Sequence, residues 1–358
     1  MSRLQSLLMI YLLQGCHRLI RSFPLLSKSS SPLPCVARRS MLSTTRSTDE
    51  ILSNQIEVSI TDAIACHGDE STAVAFLDGT WWLGEPDKGR KAFEAGPRIA
   101  GANFYDIDDV ASKTSELNPK GLPHMMPPPA LQAKFMDAVG ITNQHHIILY
   151  GQADCPFLHR AWYQCVAMGH GVEKTHMLAG SLQDWIDAGG PIETKPRSAF
   201  IMDDLQQSTK TPTYQAMVPA AGVVSMDEVL QIIHQKDPDT LIVDARSAER
   251  FLALVDEPRP GLRRGHMPGA SNLFFKDVLQ ADSLVQLRDA NTLRELAAAA
   301  GLDPSKRIVA SCGSGATGCT LLAALVKAGY DHKKLALFDG SWMEWGADPD
   351  VPVVDEQK

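Results

Sequence analysis

No run of apolar residues in these 358 residues approaches the ~20 needed to cross a bilayer; Leu7–Leu13 is far too short, so a membrane partner is not expected. Basic residues never form a stripe interleaved with aromatics and the net charge is −8, which excludes an ordinary nucleic-acid binder. The seven cysteines (16, 35, 66, 155, 165, 312 and 319) include no CxxC pair and are too sparse for a disulfide scaffold. That argues against structural zinc and for a reducing compartment. Acidic residues are missing from residues 1–48, which carry seven Lys or Arg and many serines. Such a stretch reads as a mitochondrial targeting peptide processed near Arg38–Arg46, in preference to a secretory signal built on Leu7–Leu13. The expected location is mitochondrial, or cytoplasmic if those residues are bypassed. With 44% apolar and 21% charged residues, the remainder describes a soluble globular protein with room for two cores.

What is present centres on Ile308–Gly329, IVASCGSGATGCTLLAALVKAG. Ile308–Ala310 reads as a buried strand and Cys319–Ala328 as a helix, so Cys312 sits in the glycine-rich turn between them. Gly313, Gly315 and Gly318 let the backbone curl around the sulfur, and successive N–H groups with the helix N-terminus supply positive potential. A cysteine there is expected to be a nucleophilic thiolate. Two other readings fit the local pattern. GxGxxG over 313–318 followed by Asp331 imitates a dinucleotide site, and a structural turn with an inert cysteine is the plain alternative.

Strand signals at Val74–Asp78, Ile147–Tyr150 and His176–Leu178 recur at Leu241–Asp244, Ile308–Ala310 and Leu335–Phe338. The offsets are nearly constant: Asp78 to Asp244 is 166, Gly101 to Gly269 is 168, and Trp185 to Trp345 is 160. This indicates an internal duplication, with helical segments such as Ala161–Gly169 and Leu321–Lys327 between the strands. The expected fold is α/β: two tandem domains, 55–190 and 219–358, each a parallel sheet flanked by helices, joined by a proline-spaced linker over 191–218. The duplication weakens the dinucleotide reading, because a dinucleotide fingerprint belongs to the first βα turn and only about 40 residues follow Gly318. In the first copy Gly151 stands where Cys312 stands, so one copy carries the chemistry.

Taken together, the Asp244–Arg246–Arg250–Phe251 segment, GHMPGA (265–270), CGSGATG and DGSWMEW (339–345) resemble the two-domain rhodanese family. Within it, CGSGAT is similar to the loop of the 3-mercaptopyruvate sulfurtransferases, whereas thiosulfate sulfurtransferases carry charged residues after the cysteine. The resemblance implies two tandem rhodanese-like domains, no cofactor and no metal. It implies transfer of sulfane sulfur from 3-mercaptopyruvate, through a persulfide on Cys312, to thioredoxin, a small thiol or cyanide. Thiosulfate as donor and a low-turnover sulfur carrier or interaction module are the alternatives. The persulfide would lie among the amides of Gly313, Ser314, Gly315, Ala316, Thr317 and Gly318. Ser314 would relay a proton or bond the substrate carbonyl; a helix-capping serine is its other reading.

By the same resemblance Arg250 and Arg259 match the family's substrate-binding arginines, suited to a carboxylate by their forked donors. Arg246 is expected to pair near Asp244, and His266 to be structural. The family places a histidine facing the active loop in the first domain's equivalent of GHMPGA; here that segment has Arg98, expected to add positive potential or hold an anionic donor, with Asp87 and Arg90 as weaker candidates. Phosphatase chemistry on a related fold would need an arginine where Gly318 stands. His145, His146, Cys155, His159 and Cys165 match no tetrahedral ligand spacing and are read as core or surface residues.

Overall fold

His146–Tyr150 and Arg307–Ser311 are the two central strands of the computed structural model, which describes residues 46–69, 71–114, 118–200, 211–217 and 222–357. Both are almost wholly buried, as their apolar runs require of strands covered on two faces. The first half supplies β1 (Glu57–Val58), β2 (Val74–Asp78), β3 (Arg98–Ile99), β4 (Asn103–Phe104), β5 (His146–Tyr150), β6 (Thr175–Leu178) and β7 (Ile192–Glu193). The second supplies β8 (Val223–Val224), β9 (Thr240–Asp244), β10 (Ser271–Asn272), β11 (Arg307–Ser311) and β12 (Leu335–Phe338).

The expected duplication is visible in the topology. One sheet runs β1-β6-β5-β2-β4 and the other, read from the matching edge, β8-β12-β11-β9-β10, every pairing in both being parallel. Register is repeated too: Asp78 pairs with Tyr150 as Asp244 pairs with Ser311. Parallel strands need crossovers, and the helices that supply them cover both faces. Leu158–Cys165 of the first domain and Gly318–Lys327 of the second pack on each other, and one hydrophobic core runs from Leu77 and Leu149 through Ala161 and Leu322 to Ile308 and Leu337. The outer faces have separate cores around Trp185 and around Trp342 and Trp345.

Two boundaries move from their expected places. Residues 1–45 of the targeting segment lie outside the described residues, but Thr48 is buried at the start of a helix capped by Ser47. Folded structure therefore begins before residue 49, and the chain from Arg46 onward forms one compact unit. Of the expected linker, 201–210 and 218 fall outside the described residues, and the rest is docked on the first domain. β7 pairs antiparallel with β3, Ala199 joins the first domain's core, and Tyr214 is buried with its hydroxyl 2.7 Å from His170 Nδ1.

Candidate active site

Cys312 follows β11, one residue before the chain turns toward helix Gly318–Lys327. Its backbone is held at both ends: the N–H donates to Ser341 Oγ at 3.1 Å, and the carbonyl accepts from Trp342 N–H at 3.0 Å. Gly315 has φ +78°, and a Cβ there would lie 2.5 Å from the Asp339 carbonyl oxygen, so glycine is required for the loop to close. Among the described residues, the amides of Gly313 to Thr317 find no hydrogen-bond acceptor. Thr317, at the helix N-cap, makes no side-chain cap, and Ser314 is not at the capping position. A row of free donors at the positive end of a ten-residue helix suits a sulfur anion.

Cys312, Gly313, Ser314, Ala316, Thr317, Arg250 and Arg259 all line one cleft of about 770 Å³, whereas Gly315 and Gly318 are not among its lining residues. The opposite wall comes from the first domain: Trp81, Leu83, Asp108, His124 and Phe157. Arg250 approaches the loop so closely that a Cβ on Gly313 would lie 3.3 Å from its Nη2. Arg246 is buried, and its Nε and Nη2 bond both oxygens of Asp244 at 2.7–3.1 Å while its guanidinium lies 4.1 Å from the Trp342 ring centroid. His266 is structural, its Nδ1 at 2.8 Å from the Phe251 carbonyl and its ring stacked on Phe251.

Arg98 is not in the cleft. Its guanidinium is buried in the first domain, donating to the Phe93 carbonyl at 2.9 Å, the Lys195 carbonyl at 2.7 Å and Glu193 at 3.1 Å. It does for its domain what His266 does for the other, tying the strand approach to a phenylalanine carbonyl upstream. Asp87 and Arg90 are also elsewhere: Asp87 pairs with Lys91 on the surface, and Arg90 with Asp106 and Asp109.

The histidine facing the loop is His124, from an irregular proline-rich segment. Its Nδ1 lies 2.5 Å from Asp108 Oδ1, while Asp108 Oδ2 accepts from the Trp81 indole at 2.7 Å. Burial pushes the Asp108 carboxyl up, but the His124 and Trp81 bonds outweigh it and hold it below the ordinary value. Sequence periodicity missed this pair because neither residue lies on a regular element. The available signal was a histidine among prolines at 122–128, where no core periodicity accounts for it.

Other cysteines and histidines take internal roles. Burial pushes Cys155 up to about 11 and Cys165 and Cys319 up to about 12, so all three stay protonated. Cys319 donates to the Gly315 carbonyl, and Cys155 bonds the backbone of Trp81. His146 bonds His176 and Asp49, and His159 is buried at the domain contact. In the first domain Gly151 keeps the scaffold of the active loop without its sulfur: its carbonyl accepts from Leu182 N–H at 2.9 Å, as that of Cys312 does from Trp342.

Tandem parallel α/β domains, with one cysteine loop facing a wall built by the other domain, define a class that comparison with known proteins identifies. A rhodanese-like domain model matches residues 225–348. The chain is 35% identical over 255 residues to the 3-mercaptopyruvate sulfurtransferase of Escherichia coli K12, covering 71% of this chain and 82% of that one. It is 30% identical over 290 residues to the Arabidopsis thaliana protein named thiosulfate/3-mercaptopyruvate sulfurtransferase 1, mitochondrial, covering 77% and 73%. The crystal structure of SseA from Escherichia coli, a 3-mercaptopyruvate sulfotransferase of rhodanese fold, matches with TM-score 0.63 and 30% identity over 80% of this chain and 99% of that one. The chain belongs to the two-domain rhodanese family and is a sulfurtransferase.

Proposed function

We propose that this enzyme takes sulfane sulfur from 3-mercaptopyruvate onto Cys312 and passes it to a thiol acceptor. The observation that carries the reading is the convergence on one cleft of Cys312, the free loop amides, two arginines and the Asp108–His124 pair. The donor's carboxylate is held by Arg259 and by the part of Arg250 that faces the loop. The Cys312 thiolate attacks the donor sulfur, the carbon–sulfur bond breaks, and its electron pair leaves on carbon as the enolate of pyruvate. His124, with Nδ1–H fixed on Asp108, presents its other nitrogen for the proton that the donor thiol loses and the enolate gains. Ser314 lines the same cleft and extends that relay to the substrate carbonyl. The outer sulfur of the persulfide rests among the loop amides until an acceptor thiolate attacks it and returns Cys312 as thiolate.

Thioredoxin-like dithiols, small thiols and cyanide are the acceptors this chemistry fits. Thiosulfate is the second donor to consider, because the Arabidopsis relative carries both donors in its name. The acid-free, Arg- and Ser-rich first residues, together with the mitochondrial name of that relative, support a mitochondrial location as part of this reading.

A donor screen on the chain from Arg46 tests the proposal. Pyruvate and sulfide should appear from 3-mercaptopyruvate with a thiol acceptor, Cys312→Ser should abolish both, and retained activity in that variant would refute it. A one-sulfur mass increase without turnover would point instead to a carrier.

A further inference from the structure

We propose that Glu257 is a specificity-determining residue that sets the charge of donor the cleft accepts. This rests on the reading above, in which the cleft arginines hold the donor's anionic group. Glu257 lines the cleft, yet its side chain is only 2% exposed, wedged between two guanidiniums. Its Oε1 accepts from Arg246 Nη1 at 2.7 Å and Arg250 Nε at 3.2 Å, and its Oε2 accepts from Arg250 Nη2 at 2.5 Å. Arg246 is otherwise taken by Asp244. Two carboxylates therefore balance two guanidiniums on this wall, and on the facing wall Asp108 accepts hydrogen bonds from His124 and the Trp81 indole, which leaves its negative charge in place. Arg259 is different: it lines the cleft with no ion pair or hydrogen bond among the described residues.

That wall thus offers one uncompensated cation to an incoming donor, and the only other unpaired charge lining the cleft, Asp108, is negative. One carboxylate matches it, with the remaining Nη1 of Arg250 as a neutralised hydrogen-bond donor. A dianion such as thiosulfate would bring a second charge close to the buried carboxylate of Glu257, with no free cation to receive it. Isolated burial of that carboxylate would be too costly to persist; the two arginines that stabilise it also give up their charge to it. Glu257 has a second consequence: it fixes the fork of Arg250 beside Gly313.

Glu257→Gln tests this, since it keeps size and one acceptor oxygen for the guanidiniums, gives up the second, and removes the charge. The ratio of kcat/KM for thiosulfate to that for 3-mercaptopyruvate, with cyanide as acceptor, is expected to rise about tenfold or more, mainly through a lower KM for thiosulfate. A folded variant in which both donors change alike, or neither changes, would overturn the proposal. Competitive inhibition of the unsubstituted enzyme covers the case of a variant that does not fold. Methanesulfonate, a monoanion, should inhibit at least as strongly as the dianion sulfate; sulfate binding roughly tenfold tighter would overturn the idea. Arg259→Ala separates this from the parent reading. Unchanged KM for both donors would remove the donor site itself, whereas raised KM for both with an unshifted Glu257→Gln ratio would remove Glu257 alone.

Discussion

Arg160 of the first domain and Asp339 of the second form a 2.7 Å ion pair in which both side chains are buried. Burial works against the charge of Arg160, but Asp339 outweighs it and raises its pKa above the ordinary arginine value. The pair's other bonds explain its place. Arg160 also donates to the Gly315 carbonyl at 3.2 Å and to the carbonyl of His124, and Asp339 accepts from Met126 N–H at 2.6 Å. One ion pair therefore fixes the cysteine loop and the histidine segment to each other across the domain boundary. The first domain has Gly151 where the second has Cys312, yet the cysteine loop is held from it.

Removing one partner should be expensive. Arg160→Met leaves Asp339 buried without its cation and should destabilise by about 3–5 kcal/mol, while the double change Arg160→Met with Asp339→Leu should restore much of that. Urea titrations of the two single variants and the double check this. The double variant should still be slow, because the Gly315 and His124 carbonyls lose their donor; wild-type kcat in it would show that the pair holds the fold and not the site.

Asp78 shows what became of the other copy of the motif. Asp244 is followed two residues later by Arg246, whereas Asp78 is followed by Thr80, which gives it its backbone N–H at 3.0 Å and a side-chain hydrogen bond but no cation. Burial without a paired cation pushes the Asp78 carboxyl up to about 6, against the Thr80 bonds that lower it. Its unfolded value is about 3.9, so between about pH 4 and 6 the native state holds a proton that the unfolded chain has released. Stability contributed by this group therefore falls as pH rises through that window. Asp78→Asn keeps the acceptor for Thr80 and removes the titration. Relative to wild type it should gain on the order of 2–3 kcal/mol between pH 4 and pH 7 in chemical denaturation, and parallel profiles would contradict the assignment.

The strands were legible because buried parallel strands are short apolar runs. Val74–Asp78 and Leu335–Phe338 end where their patterns end, and the offset between halves reports the shared topology. Cys312 and its glycines were legible because a strand, a glycine turn and a helix are local events. Arg98 shows the limit of that logic. Aligning it with the family's histidine position gave an equivalent place in the fold, but the side chain turns inward to Phe93 and Glu193, a choice made by packing that spacing does not encode. Asp108 and His124 meet across 16 residues of irregular chain, so their contact is tertiary and leaves no periodic trace. The clasp of Glu257 on two arginines was invisible for a similar reason, since charge counts do not say which cations are already paired.

His124 is the residue on which the proposed proton relay turns. Its Nδ1 is committed to Asp108, which is itself held by the Trp81 indole, so the ring is oriented by two successive bonds in a wall that the loop of Cys312 faces. If His124 moves the proton between donor thiol and enolate, His124→Asn should lower the rate of pyruvate release from 3-mercaptopyruvate by about 10²–10⁴-fold. Asp108→Asn, which weakens orientation and leaves the imidazole in place, should cost less. Single-turnover pyruvate release measures both, and alkylation of Cys312 by iodoacetamide gives a control that does not need the relay. Slow release with near-normal alkylation would assign His124 to proton transfer, whereas equal losses in both would mean that the histidine acts on the thiolate itself.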